Sequence, residues 1–243
     1  MTSEHLPEQW NNREFALNYL QTAESMVVGR QRSIDLLKSF YRYFLDSHRP
    51  NTILDLGCGD GILTRELMQV DDSISAVLID GSEDMLEQAR ELIMDTSRVR
   101  FVHASFQELI AERIDLPAID FTVSSLAIHH LTATEKSALF RYIYSVSNSG
   151  GYFLNIDTVR SSSERIENWH LELWREGVFS AELSPNYEKI FREMLDKYTS
   201  DVHYCNIDTL ESQMKALTEA GFSEVDCFYK DGIFAIYGGI KND

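Results

Sequence analysis

Cysteine is scarce in this chain. Cys58, Cys205 and Cys227 are the only three, none in a C-x-x-C pair and none at zinc-ligand spacing. This excludes a disulfide framework and a cysteine-built zinc module, and leaves free thiols in a reducing compartment. Basic residues are short too: 22 Lys and Arg stand against 39 Asp and Glu, a formal charge of −17. Neutralising phosphates takes clustered positive charge, and no dense Lys/Arg run is present. A nucleic-acid partner is therefore disfavoured, and a small or cationic substrate is easier to accommodate. No signal-peptide pattern opens the chain and no apolar run reaches membrane-spanning length, so the expectation is a soluble, cytoplasmic protein with no membrane partner.

What the chain does have is a strand that ends in glycines. Ile53, Leu54 and Leu56 suit a buried parallel strand, followed at once by Gly57, Gly59 and Gly61. Leu63, Leu67 and Val70 then recur at helical spacing. Glycines in such a turn let the backbone approach a ligand that a Cβ would push away. The run Ile74–Ile79 closes on Asp80, at about the interval where a nucleotide-binding α/β unit places its ribose-binding acid. Ile62 stands where a dinucleotide enzyme would carry the last glycine of G-x-G-x-x-G, which suits a ligand without phosphates.

The string Asp55-Leu-Gly57-Cys-Gly59-Asp-Gly61 resembles the D/E-x-G-x-G-x-G motif of the class I S-adenosylmethionine-dependent methyltransferases. The resemblance implies an α/β, Rossmann-like, seven-stranded and mostly parallel sheet, with helices on both faces, the last strand antiparallel and a helical insertion before the last helix. It implies S-adenosyl-L-methionine as cofactor and methyl transfer to a small molecule. By the same resemblance Gly57, Cys58 and Gly59 would offer backbone contacts, Asp55 would lie beneath the methionine part, and Asp80 would take the ribose hydroxyls. Gly81, Ser105, Phe106 and Ser125 would complete the pocket. One departure stands out: members usually carry an Asp directly after the third strand, where this chain reads Ala104-Ser105-Phe106.

In chain order, one domain over 1–243 is expected in four parts: N-terminal helices to 48, a cofactor-binding core over 49–157, a helical insertion or lid over 158–205, and a last helix with a strand pair over 206–243. Helices are predicted over 13–23 and 30–46, the family's usual cover for the cofactor, with Tyr19 toward substrate and Arg30 as a guanidinium able to grip a carboxylate. Residues 120–131 read as the fourth strand, ending in His129 and His130 where this family puts its reacting centre. Either could remove a proton near neutral pH, though adjacent histidines without further ligands make a poor metal site. Asp157 finishes the fifth strand on the same edge and is a second acid or base candidate. Thr132-Ala-Thr-Glu135 has capping-box spacing, and Asp208-Thr-Leu-Glu211 is read as the cap of the last helix. The insertion is rich in aromatics, Pro185 divides it, and it reads as a lid or a dimer surface, with Trp169 and Arg192 toward substrate and His170, Glu172, Arg175, Tyr187, His203 and Tyr204 as its other polar groups.

A weaker likeness points to the carboxy-S-adenosylmethionine synthases, carried by a V-x-G-x turn at Val27–Arg30 and an R-x-M-L string at Arg192–Leu195. There Arg192 would hold an added carboxylate. A cofactor-binding protein without chemistry, acting on a partner through its aromatic insertion, is the third reading.

Overall fold

The computed structural model describes residues 26–45, 49–111, 114–180, 186–200 and 206–242. The expected first helix with Tyr19, and also Pro185, His203, Tyr204 and Cys205, lie outside the described residues, as does the side chain of Tyr187.

The chain runs α1 (Arg30–Phe44), β1 (Thr52–Leu56), α2 (Ile62–Met68), β2 (Ser75–Asp80), α3 (Glu83–Leu92), β3 (Val99–His103), α4 (Phe106–Ile110), β4 (Ile119–Ser125) and α5 (Ala133–Val146). It continues through β5 (Ser147–Thr158), α6 (Glu164–Phe179), α7 (Asn186–Thr199), α8 (Leu210–Ala220), β6 (Ser223–Asp231) and β7 (Phe234–Ile240). The seven strands lie in the order β3-β2-β1-β4-β5-β7-β6. Pairs among β1 to β5 are parallel, and β7 is antiparallel to both neighbours. Strand order reverses between β1 and β4, and at such a reversal the two following loops part to leave a crevice at the carboxyl ends.

Both faces of the sheet are covered, which is why β1, β2 and β4 read as nearly continuous apolar runs. Leu37, Phe40 and Tyr41 of α1 with Leu63, Leu67, Leu86 and Ala89 pack on Ile53, Phe121, Val123, Leu154 and Ile156. On the other face Leu109, Leu139, Phe140, Ile143 and Leu217 pack on Leu54, Leu56, Val77, Ile79 and Phe153. A third cluster joins the insertion to the rest: Trp174, Val178, Phe191 and Tyr198 meet Met26, Val27, Ile207, Ile233 and Phe234.

Local chemistry sets the boundaries. Ser82 caps α3 by accepting from the Met85 amide, and Thr132 and Glu135 form the expected capping box of α5. Two expectations need correction. The fourth strand stops at Ser125, because Leu126 takes a left-handed conformation (φ 51°) and Ile128–His130 form a 3-10 turn. The last helix is capped by Thr209, which accepts from the Ser212 amide, while Asp208 instead pairs with the buried ammonium of Lys136 at 2.8 Å.

A candidate active site at the sheet reversal

The turn after β1 is held by its own donors. The amides of Gly57 and Cys58 both donate to the Ile79 carbonyl, at 2.8 and 3.0 Å, and the Gly61 amide donates to the Cys58 carbonyl. The Gly59 amide donates to Asp80 Oδ2 at 2.9 Å. Anions bind where backbone N–H groups point outward. This turn points four of its amides inward, which leaves little for a pyrophosphate.

The glycines divide the work. A Cβ on Gly57 would lie 2.4 Å from the Ala127 Cβ, so the turn leading to His129 sits directly on the glycine loop. A Cβ on Gly59 would meet nothing within 4 Å, nor would one on Gly81, so both face open space on either side of the Asp80 carboxylate. Asp80 is held from behind by the Gly59 and Ser82 amides, each at 2.9 Å. Burial raises its carboxyl above the usual range, and those two hydrogen bonds work against the shift. Each oxygen keeps lone-pair capacity, enough for two vicinal hydroxyls. An adenosyl ribose fits this cradle.

The other expected cofactor residues divide into near and indirect. The Phe106 ring lies 3.4 Å from where a Gly57 Cβ would stand, beside the loop. Ser105 caps α4 in a capping box with Glu108, which engages both its amide and its hydroxyl, so the missing Asp after β3 is replaced by a helix start. Ser125 closes β4, half-buried, in register with Ile156. Cys58 is buried, and burial pushes its thiol pKa up, so it packs and does not react. Asp55 is 1 % exposed and accepts from the hydroxyl and amide of Thr64, at 2.7 and 3.3 Å, tying α2 to β1. Its pKa is pushed to about 7, first by burial and then by the Asp60 and Asp80 charges, against the pull of Thr64. Arg30 starts α1, half-buried, right after the segment Met26–Gly29 that meets the insertion.

The candidate reacting edge is built from β4 and β5. Ser124 Oγ donates to the Leu56 carbonyl at 2.7 Å, fixing the end of β4 to that of β1. Beyond it, the Asp157 carboxylate receives the His129 amide at 2.9 Å and His129 Nδ1 at 2.5 Å. Asp157 is buried, whereas the His129 side chain is 17 % exposed. The two candidates named separately in the sequence form one dyad. The His130 ring lies tilted against that of His129, centroids 4.0 Å apart. Among the described residues no group of three or more His, Cys, Asp or Glu could hold a metal ion.

The insertion is fastened to the core at both ends. Trp174 Nε1 donates to the Met26 carbonyl at 2.7 Å, and a Cβ on Gly177 would strike Val28 at 2.7 Å. Arg160 and Thr209, where the chain leaves and returns, form a parallel bridge. Leu126, in the strained turn before His129, packs against this cluster. Trp169 and Arg192 are not brought to the site: Trp169 is 58 % exposed, and Arg192 lies on the solvent side of α7, paired with Glu188 at 2.6 Å. Of the other polar groups, His170 is buried against Ser161 at 2.9 Å, and Glu172 and Arg175 pair with each other in solvent. The residues the sequence reading missed are Thr64, Asn155, Lys136 and Tyr237. Asn155 alone carried a signal, as an amide inside an apolar strand.

A mostly parallel sheet with one antiparallel strand, a glycine turn with its amides turned inward and an acid at the end of the next strand define a Rossmann-like fold. Residues 53–151 match the model of a methyltransferase domain. The chain thus carries a methyltransferase domain, and is similar to the class I S-adenosylmethionine-dependent methyltransferases. Over 195 residues it is 27 % identical to the ubiquinone/menaquinone biosynthesis C-methyltransferase of a Shewanella species, covering 78 % of this chain and 73 % of that protein. Over 202 residues it is 25 % identical to the carboxy-S-adenosyl-L-methionine synthase of Shewanella piezotolerans, covering 79 % and 77 %. Two solved structures share the fold. A putative S-adenosyl-L-methionine-dependent methyltransferase from Methanococcus maripaludis matches with TM-score 0.63 at 18 % identity, over 100 % of this chain and 98 % of that one. Human N-acetylserotonin methyltransferase in complex with SAM matches with TM-score 0.64 at 18 % identity; this chain is covered in full but spans 61 % of that protein.

Proposed function

We propose that the protein transfers the methyl group of S-adenosylmethionine to a small-molecule acceptor whose attacking atom carries a removable proton, and that His129 removes it. The bound sulfonium supplies a methyl already activated for transfer. The chain's own residues then hold, orient and exclude water. Asp80 receives the ribose hydroxyls, Gly59 and Gly81 give the nucleoside room, and Phe106 offers an aromatic wall beside the glycine loop. Asp55 acts through Thr64, fixing the helix that follows that loop.

The observation that carries the acceptor reading is the 2.5 Å contact between His129 Nδ1 and Asp157. A buried carboxylate accepting at Nδ1 keeps the proton on that nitrogen and leaves Nε2 as the free acceptor. That is the form a general base needs. His130, its ring tilted against that of His129, shapes the same edge. Free thiols at Cys58 and Cys227 support a cytoplasmic setting.

The carboxy-S-adenosylmethionine synthase reading is kept open by the relative of that name. It would need Arg192 against an added carboxylate, and here the guanidinium is held by Glu188 on the solvent side of α7. Methyl transfer therefore stands first. The test is His129→Gln assayed against a panel of phenols, thiols and amines. Turnover should fall about 10²- to 10⁴-fold, with cofactor affinity by calorimetry unchanged. Undiminished turnover would remove His129 from the chemistry.

A further inference from the structure

Strand β5 carries an amide where apolar side chains surround it. Asn155 is fully buried, and its Nδ2 donates to the Tyr237 hydroxyl at 2.8 Å and to Asp157 Oδ2 at 3.3 Å. Register produces this meeting: Asn155 lies opposite Ser124 on β4 and opposite Tyr237 on β7. Strand alternation puts Asn155 on the same face as Asp157. That face is otherwise lined by Leu54, Leu56, Phe153 and Ala235. An amide and a phenol buried there cost desolvation that only their hydrogen bonds offset, and Leu with Phe would fill the space at less cost. What the pair reaches is Asp157.

Asp157 receives four donors: the His129 amide, the His129 ring, the Thr158 amide at 2.9 Å, and Asn155. The two backbone amides hold the carboxylate in place whatever occupies position 155. Among the described residues, Asn155 is the one side chain besides His129 that hydrogen-bonds to Asp157.

We propose that Asn155, aligned by Tyr237, is a positioning residue that sets how strongly Asp157 draws on the His129 ring. The proposal rests on the reading of His129 as the base. By donating to Asp157, the amide takes up part of the carboxylate's negative charge. Without it Asp157 becomes a stronger acceptor toward imidazolium, and His129 keeps its proton to higher pH. The groups facing His129 are Asp157 from β5 and the neighbouring His130. Tyr237 faces Asp157 from β7 with Asp208 also within its field, and burial keeps its hydroxyl protonated.

The test follows the His129 ring nitrogens by NMR in the ¹⁵N-labelled full chain across pH, for wild type, Asn155→Leu and Tyr237→Phe. Wild type should show the proton on Nδ1 once the ring is neutral. The His129 midpoint should rise by about half a pH unit or more in Asn155→Leu and by less in Tyr237→Phe. The acid limb of turnover should move the same way, with cofactor affinity unchanged. If Asn155→Leu does not fold, Tyr237→Phe, which removes a single oxygen, decides by the same reading. A midpoint that stays put or falls in the folded variants overturns the proposal. Because this measurement needs no acceptor, it is separate from the base assignment: unchanged turnover in His129→Gln ends that assignment, whereas an unmoved midpoint beside a His129→Gln loss ends only the role of Asn155.

Discussion

On the side of β1, β2 and β3 the proposed cofactor surface is mostly backbone, with the Asp80 carboxylate and the Phe106 ring, whereas on the side of β4, β5 and the insertion the candidate surface is side chains held by other side chains. The first side works by what its backbone withholds. Gly57, Cys58, Gly59 and Gly61 turn their amides inward, and the space before Gly59 and Gly81 stays bare. The second side depends on pairings across the fold, such as His129 with Asp157 and Trp174 with Met26. On the proposed assignment, the difference teaches that binding and chemistry can be altered separately. They touch where Ala127 packs on Gly57.

The largest expected effect falls on the insertion. Trp174→Ala removes a buried indole and its hydrogen bond to Met26, and should cost about 3–5 kcal/mol of stability, read by chemical denaturation. The fraction that stays folded should keep normal cofactor affinity; a parallel loss of affinity would break the separation of the two sides. Asp80→Ala is the converse, weakening S-adenosylmethionine binding about 100-fold or more in a calorimetric titration with little change in unfolding midpoint. Unchanged affinity would remove Asp80 from the ribose site.

Asp55 gives a pH signature. Its folded pKa of about 7 lies above the ordinary 3.8, so within that window the folded chain keeps a proton that the unfolded chain has released. This group's contribution to stability therefore falls as pH rises across the window and levels off above it. Asp55→Asn should flatten the decline in thermal midpoint between about pH 4 and about pH 7; an unaltered slope would assign that decline to other groups. The smallest effects belong to Trp169→Ala and Arg192→Ala, which should change stability by no more than about 0.5 kcal/mol and leave turnover intact. A large fall in activity with Arg192→Ala would favour the carboxy-S-adenosylmethionine synthase reading.

How much of this was legible follows the same divide. The glycine turn, Asp80 and the capping boxes are local patterns, and local patterns survive in a linear sequence. The expected seven-stranded sheet and its antiparallel last strand came from the family resemblance that the glycine motif carries, and the observed sheet agrees. The His129–Asp157 pair was not legible as a pair, because residues 28 apart meet only through the parallel register of β4 and β5. Trp169 and Trp174 lie five positions apart on one helix and so face different sides, and only packing against Met26 and Phe191 decides which turns inward. The end of β4 was missed because Leu126 adopts a conformation that its type disfavours. The cap of α8 was placed one residue early because Asp208, a good cap by type, is drawn to Lys136.

The central claim is that a glycine turn with its amides spent inward, facing Asp80, receives an adenosyl group and rejects a pyrophosphate. Calorimetric titration of the wild-type chain with S-adenosylmethionine and, side by side, with NAD tests it most directly. Saturable binding of S-adenosylmethionine with no measurable heat from NAD is the predicted result, and NAD binding as tightly or more tightly would contradict it.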